Sequence, residues 1–519
     1  MRPAKRKSQV ECRTSQIANR SIMPKIIIIG GGISGLTAGI YAVNAGFDAE
    51  IYESNAVVGG LCSGWKRNGY LVAGGVHWLT GIKKDTGLRK MWEDIGAINE
   101  NTEIFSHDVI ASCKNGETYH HLYADLTKLE EEFLSISPED AEATKELIRA
   151  IKIHQKLPVP VEKPEDFMEE MEKLIFFAPY MKAEKAFPIS GVSIADYASR
   201  FRSTIIRDLL LSIVPNTDVS VRTLLKWLAI NCAGDAGFPV SGFGAMAQRM
   251  KNKFEKLGGK LFFESKVRKI NVTNGVATGI ELENGTAVSA DYVISTASPD
   301  VLLCELLDGK YEDAYFEKRF NASHITYPTF ALTLIPLIID ADMSQFPCRL
   351  YFTPKQPVVV NKTKLNSLKI NHYGYDTAFC QNGKTLAEVL LHSSEYEYWR
   401  DLKKSSPQTY KEVKEKIAEH VIAEVETVYP ETQGKIKLLD VATPVTFQRY
   451  TGNYRGSYVP FCTMPDIEYE NHPGVITGVK NLYLAGQWVF PDGGLPMAAI
   501  GGKYAVQRIC KQENRNINL

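Results

Sequence analysis

The sequence has no surplus of charge of either sign. Its 519 residues hold 60 Lys and Arg against 60 Asp and Glu, so the formal net charge at pH 7 is zero. Nucleic-acid-binding proteins usually carry a basic excess that neutralises phosphates, and we therefore expect no nucleic-acid partner. The ordinary content of hydrophobic (44%) and charged (23%) residues excludes a wholly disordered or fibrous chain.

The cysteines lack the spacing of a metal or redox site. Nine are present, but no two stand three positions apart, so the paired motif of zinc sites and thioredoxin-like enzymes is missing. An odd, scattered set predicts reduced thiols and a cytoplasmic location. Because no Ser-His-Asp set, metal-ligating cluster or pair of carboxylates stands out either, we expect neither a metal site nor hydrolytic chemistry.

Residues 26–43 carry no charge, and their number is that of a membrane-spanning helix. The run starts with four isoleucines and continues through three glycines into Ala- and Gly-rich sequence, which is more typical of a buried strand, a tight turn and a helix. We prefer that interpretation. Residues 1–23 are expected to form a disordered tail. Residues 1–22 are basic without an apolar core, so the alternatives are an over-extended start or an organellar transit peptide.

A glycine fingerprint follows the predicted strand. In the segment GGGISG (30–35), the first glycine permits a tight turn, the second lets the backbone approach a pyrophosphate, and the third lets helix and strand pack closely. The helix that starts here offers free N–H groups and the positive end of its dipole. The pattern predicts a dinucleotide site, and the residues expected to hold the ligand are Gly30, Gly32, Ile33, Ser34 and Gly35.

An acidic residue closes this strand–turn–helix–strand unit. Glu53 ends the second predicted strand, where a carboxylate accepts hydrogen bonds from both hydroxyls of a ribose. An acid at this position argues against a tightly held 2′-phosphorylated dinucleotide, because the two negative charges would repel each other. A purely structural glycine turn is the alternative, and the strand, helix and acid together make it the weaker one.

A second pair of glycines follows the acid. Gly59 and Gly60, with Leu61 after them, let the backbone pass close to a ligand, and the arrangement resembles FAD oxidoreductases of the glutathione-reductase-2 type. Many members of that group have an arginine where this chain has Leu61. The neighbouring Cys62 is expected near the pyrophosphate or flavin, without a partner cysteine for a disulfide.

A third glycine segment lies near the C-terminus. Residues 481–498 predict a strand, a glycine loop and a helix whose N-terminus faces the flavin and stabilises negative charge on it. Many FAD enzymes have an acid after the glycine of this strand, where this chain has a glutamine. The residues predicted to contact the flavin here are Gly486, Gln487, Gly494, Leu495 and Met497.

Together these segments resemble the phytoene desaturase and carotenoid isomerase family, which includes retinol saturase-like proteins. Residues 238–246 and 443–453 support the resemblance, and Val267 occupies the position whose backbone meets adenine in that family. The resemblance implies an FAD enzyme that desaturates, saturates or isomerises an apolar isoprenoid or polyene-like substrate by hydride transfer at flavin N5. An amine or amino-acid oxidase is the alternative, and a non-catalytic prenyl-lipid binding protein is a weaker one. The electron acceptor, including NAD(P)H, stays open.

The order of the segments predicts an α/β fold with interleaved domains. A Rossmann-like FAD-binding domain, a parallel sheet with a β-meander, alternates along the chain with a mixed α+β substrate domain. The predicted FAD-binding parts are 24–124, 238–310 and 446–519. The predicted substrate-domain parts are the helical segment 125–237 and the segment 311–445.

Three further features bear on chemistry and partners. The resemblance places His77 close to the isoalloxazine, where it is a candidate to protonate a carbon or position the ring, with a structural histidine as the alternative. Arg449 is a candidate for substrate or flavin binding, and equally for a structural salt bridge. Residues 174–182 are apolar and flanked by lysines, which makes them a candidate for peripheral membrane contact, although a buried helix end is the preferred interpretation.

Overall fold

A computed structural model describes residues 23–322, 325–393 and 395–519. Of the tail predicted for residues 1–23, residues 1–22 lie outside the described residues. The strands, in chain order, are β1 Lys25–Ile29, β2 Asp48–Tyr52, β3 Trp65–Arg67, β4 Tyr70–Val72, β5 Leu79–Thr80, β6 Ile104–Phe105, β7 Val109–Asn115, β8 Thr118–Tyr123, β9 Ala236–Pro239, β10 Lys260–Phe262, β11 Val267–Thr273, β12 Val276–Leu282, β13 Ala287–Ser289, β14 Tyr292–Ser295, β15 Leu332–Ile339, β16 Arg349–Phe352, β17 Val358–Val360, β18 Thr363–Leu365, β19 Leu368–His372, β20 Cys380–Gln381, β21 Lys384–His392, β22 Ile436–Leu438 and β23 Leu482–Leu484. The helices are α1 Ile33–Asn44, α2 Gly87–Asp94, α3 Leu126–Ile136, α4 Ala141–His154, α5 Glu170–Ala186, α6 Ile194–Ala198, α7 Thr204–Ser212, α8 Val221–Cys232, α9 Gly242–Lys256, α10 Ala314–Asn321, α11 Tyr396–Ser405, α12 Pro407–Val428, α13 Pro444–Thr451 and α14 Leu495–Gln512.

The first sheet has five parallel strands in the order β10-β2-β1-β14-β23. The isoleucines of β1 are buried, as an interior strand of a parallel sheet requires. Helices α1 and α14 pack closely because both have small residues at their contact: a Cβ on Gly502 would lie 2.4 Å from the Ser34 carbonyl oxygen. The uncharged run 26–43 is thus a strand, a turn and a helix, as the sequence predicts. Strands β11, β12 and β13 form an antiparallel three-stranded meander beside this sheet.

The second sheet is larger and mixed. Its order is β22-β15-β21-β19-β16-β7-β8, with β20 paired to β21, and only β7 and β16 run parallel among these neighbours. Helices α3, α4, α6, α7 and α8 share an apolar core with β7 and β8, and α12 shares another with β15, β16 and β21. Within the segment 125–237, which the sequence predicts to be helical, these helices cover one end of this sheet.

The hairpin β7–β8 belongs to the mixed sheet and not to the FAD-binding domain, in which its residues were predicted to lie. The sequence places it within the FAD-binding part 24–124, whereas β7 pairs with β16 through Ser112 opposite Leu350. Its first strand begins at Val109, and residues 104–105 pair separately with β9. The two-residue turn at Gly116 and Glu117, with Asn115 paired to Thr118, specifies the hairpin locally but carries no information about which sheet its outer edge will join.

Candidate functional site

A cavity of about 990 Å³ lies between the two sheets. One side is formed by the carboxyl ends of β1 and β14 and the N-terminal ends of α1 and α14, which is where ligands bind in open α/β sheets. The other side is a face of the mixed sheet. Every predicted cofactor residue except Gly35 lines the cavity: Gly30, Gly32, Ile33, Ser34, Glu53, Gly59, Gly60, Leu61, Val267, Gly486, Gln487, Gly494, Leu495 and Met497.

Glycine is required at each of the three fingerprint positions for a different geometric reason. Gly30 has φ +99°, a backbone conformation that L side chains rarely adopt. A Cβ on Gly35 would lie 1.9 Å from the Gly30 carbonyl oxygen, so this glycine permits close packing of helix and strand without lining the cavity. A Cβ on Gly32 would meet no atom within 4 Å and would project into open space. This open space is what a pyrophosphate lying against the backbone needs.

The N-terminal end of α1 offers unused hydrogen-bonding capacity to a ligand. Gly32 caps the helix without a side-chain hydrogen bond, so the first N–H groups keep their capacity for an anion. The Ser34 hydroxyl is buried, lines the cavity and has no hydrogen-bond partner in the described part of the chain. Buried hydroxyls are normally satisfied. A phosphate oxygen at this point would accept hydrogen bonds from both groups, and the site therefore fits the pyrophosphate of FAD.

Glu53 is held rigidly at the same end of the cavity. Its Oε2 accepts a hydrogen bond from Gly31 N at 2.7 Å, and its Oε1 accepts from the backbone and side-chain nitrogens of Asn55, both at 2.8 Å. A carboxylate oxygen has two lone pairs, so Oε2 keeps the capacity to accept a bond from a ribose hydroxyl.

The second glycine pair brings the chain back against the fingerprint. Gly59 N donates to the Gly31 carbonyl at 3.0 Å, and the two strand-like segments bridge at Gly32 and Gly59. Cys62 lies next to this turn and lines the cavity, but burial raises the pKa of its thiol to about 12. A thiol that stays protonated is a poor nucleophile, so Cys62 contributes packing rather than redox chemistry.

Gln487 occupies the position in the C-terminal flavin loop at which many FAD enzymes have an acid. Its Oε1 accepts from Gly494 N at 3.2 Å, and its Nε2 donates to the Tyr458 carbonyl at 3.3 Å. An amide serves both contacts, because it donates and accepts, whereas a carboxylate only accepts. Gln487 thereby fixes the loop that starts α14, whose N-terminal residues Leu495 and Met497 line the cavity.

His77 lies on the opposite side, against the mixed sheet. The side-chain nitrogen of Asn371 is 3.1 Å from its Nε2 and 3.2 Å from its Nδ1, and its own carbonyl accepts a bond from Arg349 at 2.9 Å. Burial and the nearby charges of Arg349 and Lys369 lower the pKa of His77 to about 3. The ring is therefore neutral near pH 7, which suits a positioning role better than proton donation from an imidazolium.

Two cations on this face were missed by sequence reasoning. Arg349 on β16 and Lys369 on β19 both point into the cavity, as does His392 on β21, whose Nδ1 lies 3.1 Å from the Tyr458 hydroxyl. No motif links residues on three separate strands. The one available signal was alternation, since Arg349-Leu350-Tyr351-Phe352 alternates polar and apolar residues as a strand with two different faces does.

The two remaining sequence candidates differ in their surroundings. Arg449 lines the cavity, stacks its guanidinium 4.6 Å from the Tyr450 ring centroid and donates a hydrogen bond to the Tyr450 hydroxyl at 3.1 Å.

The preferred interpretation of residues 174–182 as a buried helix end is wrong: on α5, Leu174 is 57% exposed, Ile175 68% and Met181 61%. Of the helices in the described residues, none has the length and apolar character needed to cross a bilayer.

Comparison with known proteins places the chain among flavoenzymes. The profile of the family "Flavin containing amine oxidoreductase" matches residues 33–329. The chain is 23% identical to a chloroplastic prolycopene isomerase of Daucus carota, over 93% of this chain and 79% of the relative. It is 22% identical to the 1-hydroxycarotenoid 3,4-desaturase of Flavobacterium sp. (strain P99-3), over 94% and 99%. A crystal structure of an oxidoreductase from Methanosarcina mazei has the same fold, with a TM-score of 0.62, 16% identity and coverage of 94% and 100%.

Proposed function

The chain belongs to the flavin-containing amine oxidoreductase family, and from this premise we propose that it desaturates, saturates or isomerises carbon–carbon bonds of an apolar isoprenoid or polyene-like substrate. It is an FAD-dependent oxidoreductase related to carotenoid desaturases and isomerases. FAD supplies N5, which takes a hydride from a C–H bond or gives one to a C=C bond. The observation that carries the proposal is that a single cavity extends from the cofactor-binding segments to an apolar space against the mixed sheet.

The far part of the cavity suits a long hydrocarbon. Trp78 and Trp227 meet edge to face, with ring centroids 5.6 Å apart, and both line the space. Apolar side chains from α7–α8 and from the mixed sheet complete this part, and they are Ile213, Val219, Ile230, Leu332 and Leu350. Aromatic and aliphatic walls bind an apolar chain by removing its surface from water.

The polar residues of this face position the reacting part rather than react. The ring of His77 is neutral and is held by Asn371, and His392 is held by Tyr458. Burial keeps the pKa of His392 well below its usual range. Neutral, hydrogen-bonded rings orient an apolar substrate and exclude water without adding charge, which is the environment that hydride transfer needs.

An amine substrate is the alternative on this fold, and the electrostatics oppose it. Amines are cations at neutral pH, and Arg349 and Lys369 are cations lining the same cavity. On the face of the mixed sheet, these two cations would repel an ammonium group. The geometry therefore favours the carbon–carbon chemistry.

The experiment that tests the proposal is an anaerobic titration of the purified yellow protein with polyene, amine and NAD(P)H candidates, followed by the flavin spectrum and by product analysis. We expect a polyene either to bleach the flavin, to be reduced by pre-reduced flavin, or to be isomerised with a catalytic amount of reduced flavin. Bleaching by amines with release of peroxide, and no change in any polyene, would overturn the proposal.

We propose further that α5 contacts a membrane, from which an apolar substrate is drawn. The Tyr180 hydroxyl donates to the Pro158 carbonyl at 2.6 Å, and the next residue, Val159, lines the cavity and is 41% exposed. The acids and lysines of α5 balance, since Glu170, Glu172 and Glu184 stand against Lys173, Lys182 and Lys185. Attachment would thus come from the exposed apolar side chains.

Flotation with neutral phosphatidylcholine vesicles tests this contact. The wild-type protein is expected in the vesicle fraction, and the double variant Leu174→Glu, Ile175→Glu is expected to stay below it. Val359→Glu is the matched control, because Val359 is 45% exposed on a different surface. Equal flotation of all three proteins, or no flotation of any, would contradict the contact.

A further inference from the structure

Two cations lie deep in the substrate side of the cavity without an acidic partner. The Arg349 guanidinium is 4.9 Å from the Trp78 ring centroid and donates to the carbonyls of His77 at 2.9 Å and of Ile110 at 3.5 Å. The Lys369 ammonium donates to the Val214 carbonyl. Neither forms an ion pair with a carboxylate in the described ranges, although buried charges are usually paired.

The two cations belong to one face. Arg349 pairs in register with Asn371 across β16 and β19, and Lys369 stands two residues before Asn371, so all three side chains point to the same side. Both cations act on the pKa of His77. They are therefore neighbours around one histidine rather than two separate features.

The acids of this region are engaged elsewhere. Glu388 accepts bonds from Ala73 N and Gly74 N, both at 3.0 Å, and from the Tyr373 hydroxyl at 2.7 Å. Asp492 accepts from Thr463 and lies near Lys226. Asp208 lies near Arg207. No carboxylate of these three compensates the charge of Arg349 or Lys369.

We propose that Arg349 and Lys369 bind a carboxylate at one end of the substrate, which makes the substrate an amphipathic polyene or isoprenoid acid rather than a pure hydrocarbon. This inference rests on the proposed function, since it takes the apolar chain from there. A guanidinium presents N–H groups in a fork that matches a carboxylate, and the ammonium adds a second donor.

A single charge fits better than a diphosphate. Burial lowers the pKa of Lys369 to about 7, so this group carries only part of a charge near neutrality, while Arg349 stays protonated. Even when a bound anion keeps Lys369 protonated, the two groups supply at most two positive charges, and the guanidinium alone balances one carboxylate. Several negative charges in the same space would remain uncompensated, which is costly away from water.

The test compares three probes with the same chain: cis-parinaric acid, its methyl ester and the corresponding alcohol. Their dissociation constants for the flavin-loaded protein are measured by calorimetry at pH 7. We expect the acid to bind about ten- to a hundredfold more tightly than the ester, as charge-assisted hydrogen bonds would provide. Arg349→Met and Lys369→Met should each remove most of this preference while the ester binds as before.

Lys226→Met is the matched control, because it removes a cation from the same cavity on the Asp492 side, and it should keep the preference. The flavin absorbance of each variant is recorded first. Loss of flavin in Arg349→Met would show that Arg349 binds the cofactor, and would overturn its proposed contact with the substrate carboxylate. The contact of Lys369 with that carboxylate is then tested by Lys369→Met alone. Equal binding of acid and ester, or no binding of either, by yellow wild-type protein overturns the inference. A colourless protein, or no change in any polyene despite acid preference, fails the proposed function instead.

Discussion

The two sides of the cavity recognise their ligands in different ways. On the cofactor side, recognition comes from backbone N–H groups, from glycines that leave space and from one acid, Glu53. On the substrate side, the recognition that we propose comes from side chains on neighbouring strands of the mixed sheet, such as Arg349 and Lys369. The first arrangement suits an invariable ligand, because backbone geometry changes little with sequence. The second can be altered one side chain at a time, which makes specificity adjustable without disturbing the cofactor.

The largest effect is expected where the cofactor side depends on the absence of a side chain. Gly32→Val should abolish flavin retention, because its side chain would fill the open space over the start of α1. The measurement is the flavin absorbance per mole of purified protein. A yellow, fully loaded variant would contradict this placement of the pyrophosphate.

Gly32→Ser separates binding from folding at the same position. Gly32 has φ −72° and ψ −178°, an extended conformation that any residue adopts, and serine is a favoured N-cap residue. The flavin-free variant should therefore melt at or above the temperature of flavin-free wild type, while it also fails to retain flavin. A lower melting temperature would show that the glycine is needed for the fold instead.

The next largest effect is expected at Glu53, and it compares the contribution of this one acid to FAD affinity with that of the backbone. Glu53→Gln keeps the size of the side chain but replaces one acceptor oxygen by an amide that donates. We expect the dissociation constant of FAD to rise about ten- to a hundredfold, from the loss of charge-assisted hydrogen bonds. Equilibrium titration of the flavin-free protein measures it. An unchanged constant would place the ribose away from Glu53.

The same contrast explains what the sequence could predict. The β1–α1–β2 unit followed from a local signal, since glycine spacing and a nearby acid lie within one supersecondary unit, and strand β23 followed from the glycine loop and helix after it. Val267 came only from the family resemblance. Arg349 and Lys369 were not predictable, because their proximity depends on the register of β16 against β19. The sheet that holds the hairpin β7–β8 was not predictable either, since the partner strand β16 lies more than two hundred residues along the chain. Exposure of α5 also depends on packing that apolar composition alone does not reveal.

A smaller effect is expected in the pH dependence of substrate affinity, which distinguishes the side-chain recognition of the substrate side from the backbone recognition of the cofactor side. The pKa of Lys369 is about 7 in the folded protein, so the group is charged below this pH and loses its charge above it. Affinity for a polyene acid should fall about tenfold from about pH 6.5 to about pH 8.5, whereas affinity for the ester should not change. In Lys369→Met the acid should lose this dependence.

The groups around Lys369 do not titrate in that interval. His77 and His392 have pKa values far below it, burial raises the pKa of Cys113 and of Tyr351, and Arg349 stays charged. Calorimetric titrations at several pH values measure the effect. An inflection that persists in Lys369→Met would assign the proton to another group.

The smallest effect is expected at His77. Because its pKa is about 3, the ring stays neutral between about pH 5 and pH 8, and it contributes no inflection to the pH profile of turnover there. His77→Gln should lower kcat by less than about tenfold, since a positioning contact is lost and a proton donor is not. A loss of several orders of magnitude together with a changed pH profile would show that His77 transfers a proton.

The order of the parallel sheet has a consequence for how the protein is made. Strand β1 lies between β2 and β14, and β14 in turn pairs with β23, which ends at Leu484. During synthesis the fingerprint segment emerges early, but the sheet that supports it is incomplete until nearly the whole chain has left the ribosome. Contacts so distant in sequence form slowly. Flavin loading is thus expected late in folding, because one edge of β1 has no strand to pair with until β14 has been made.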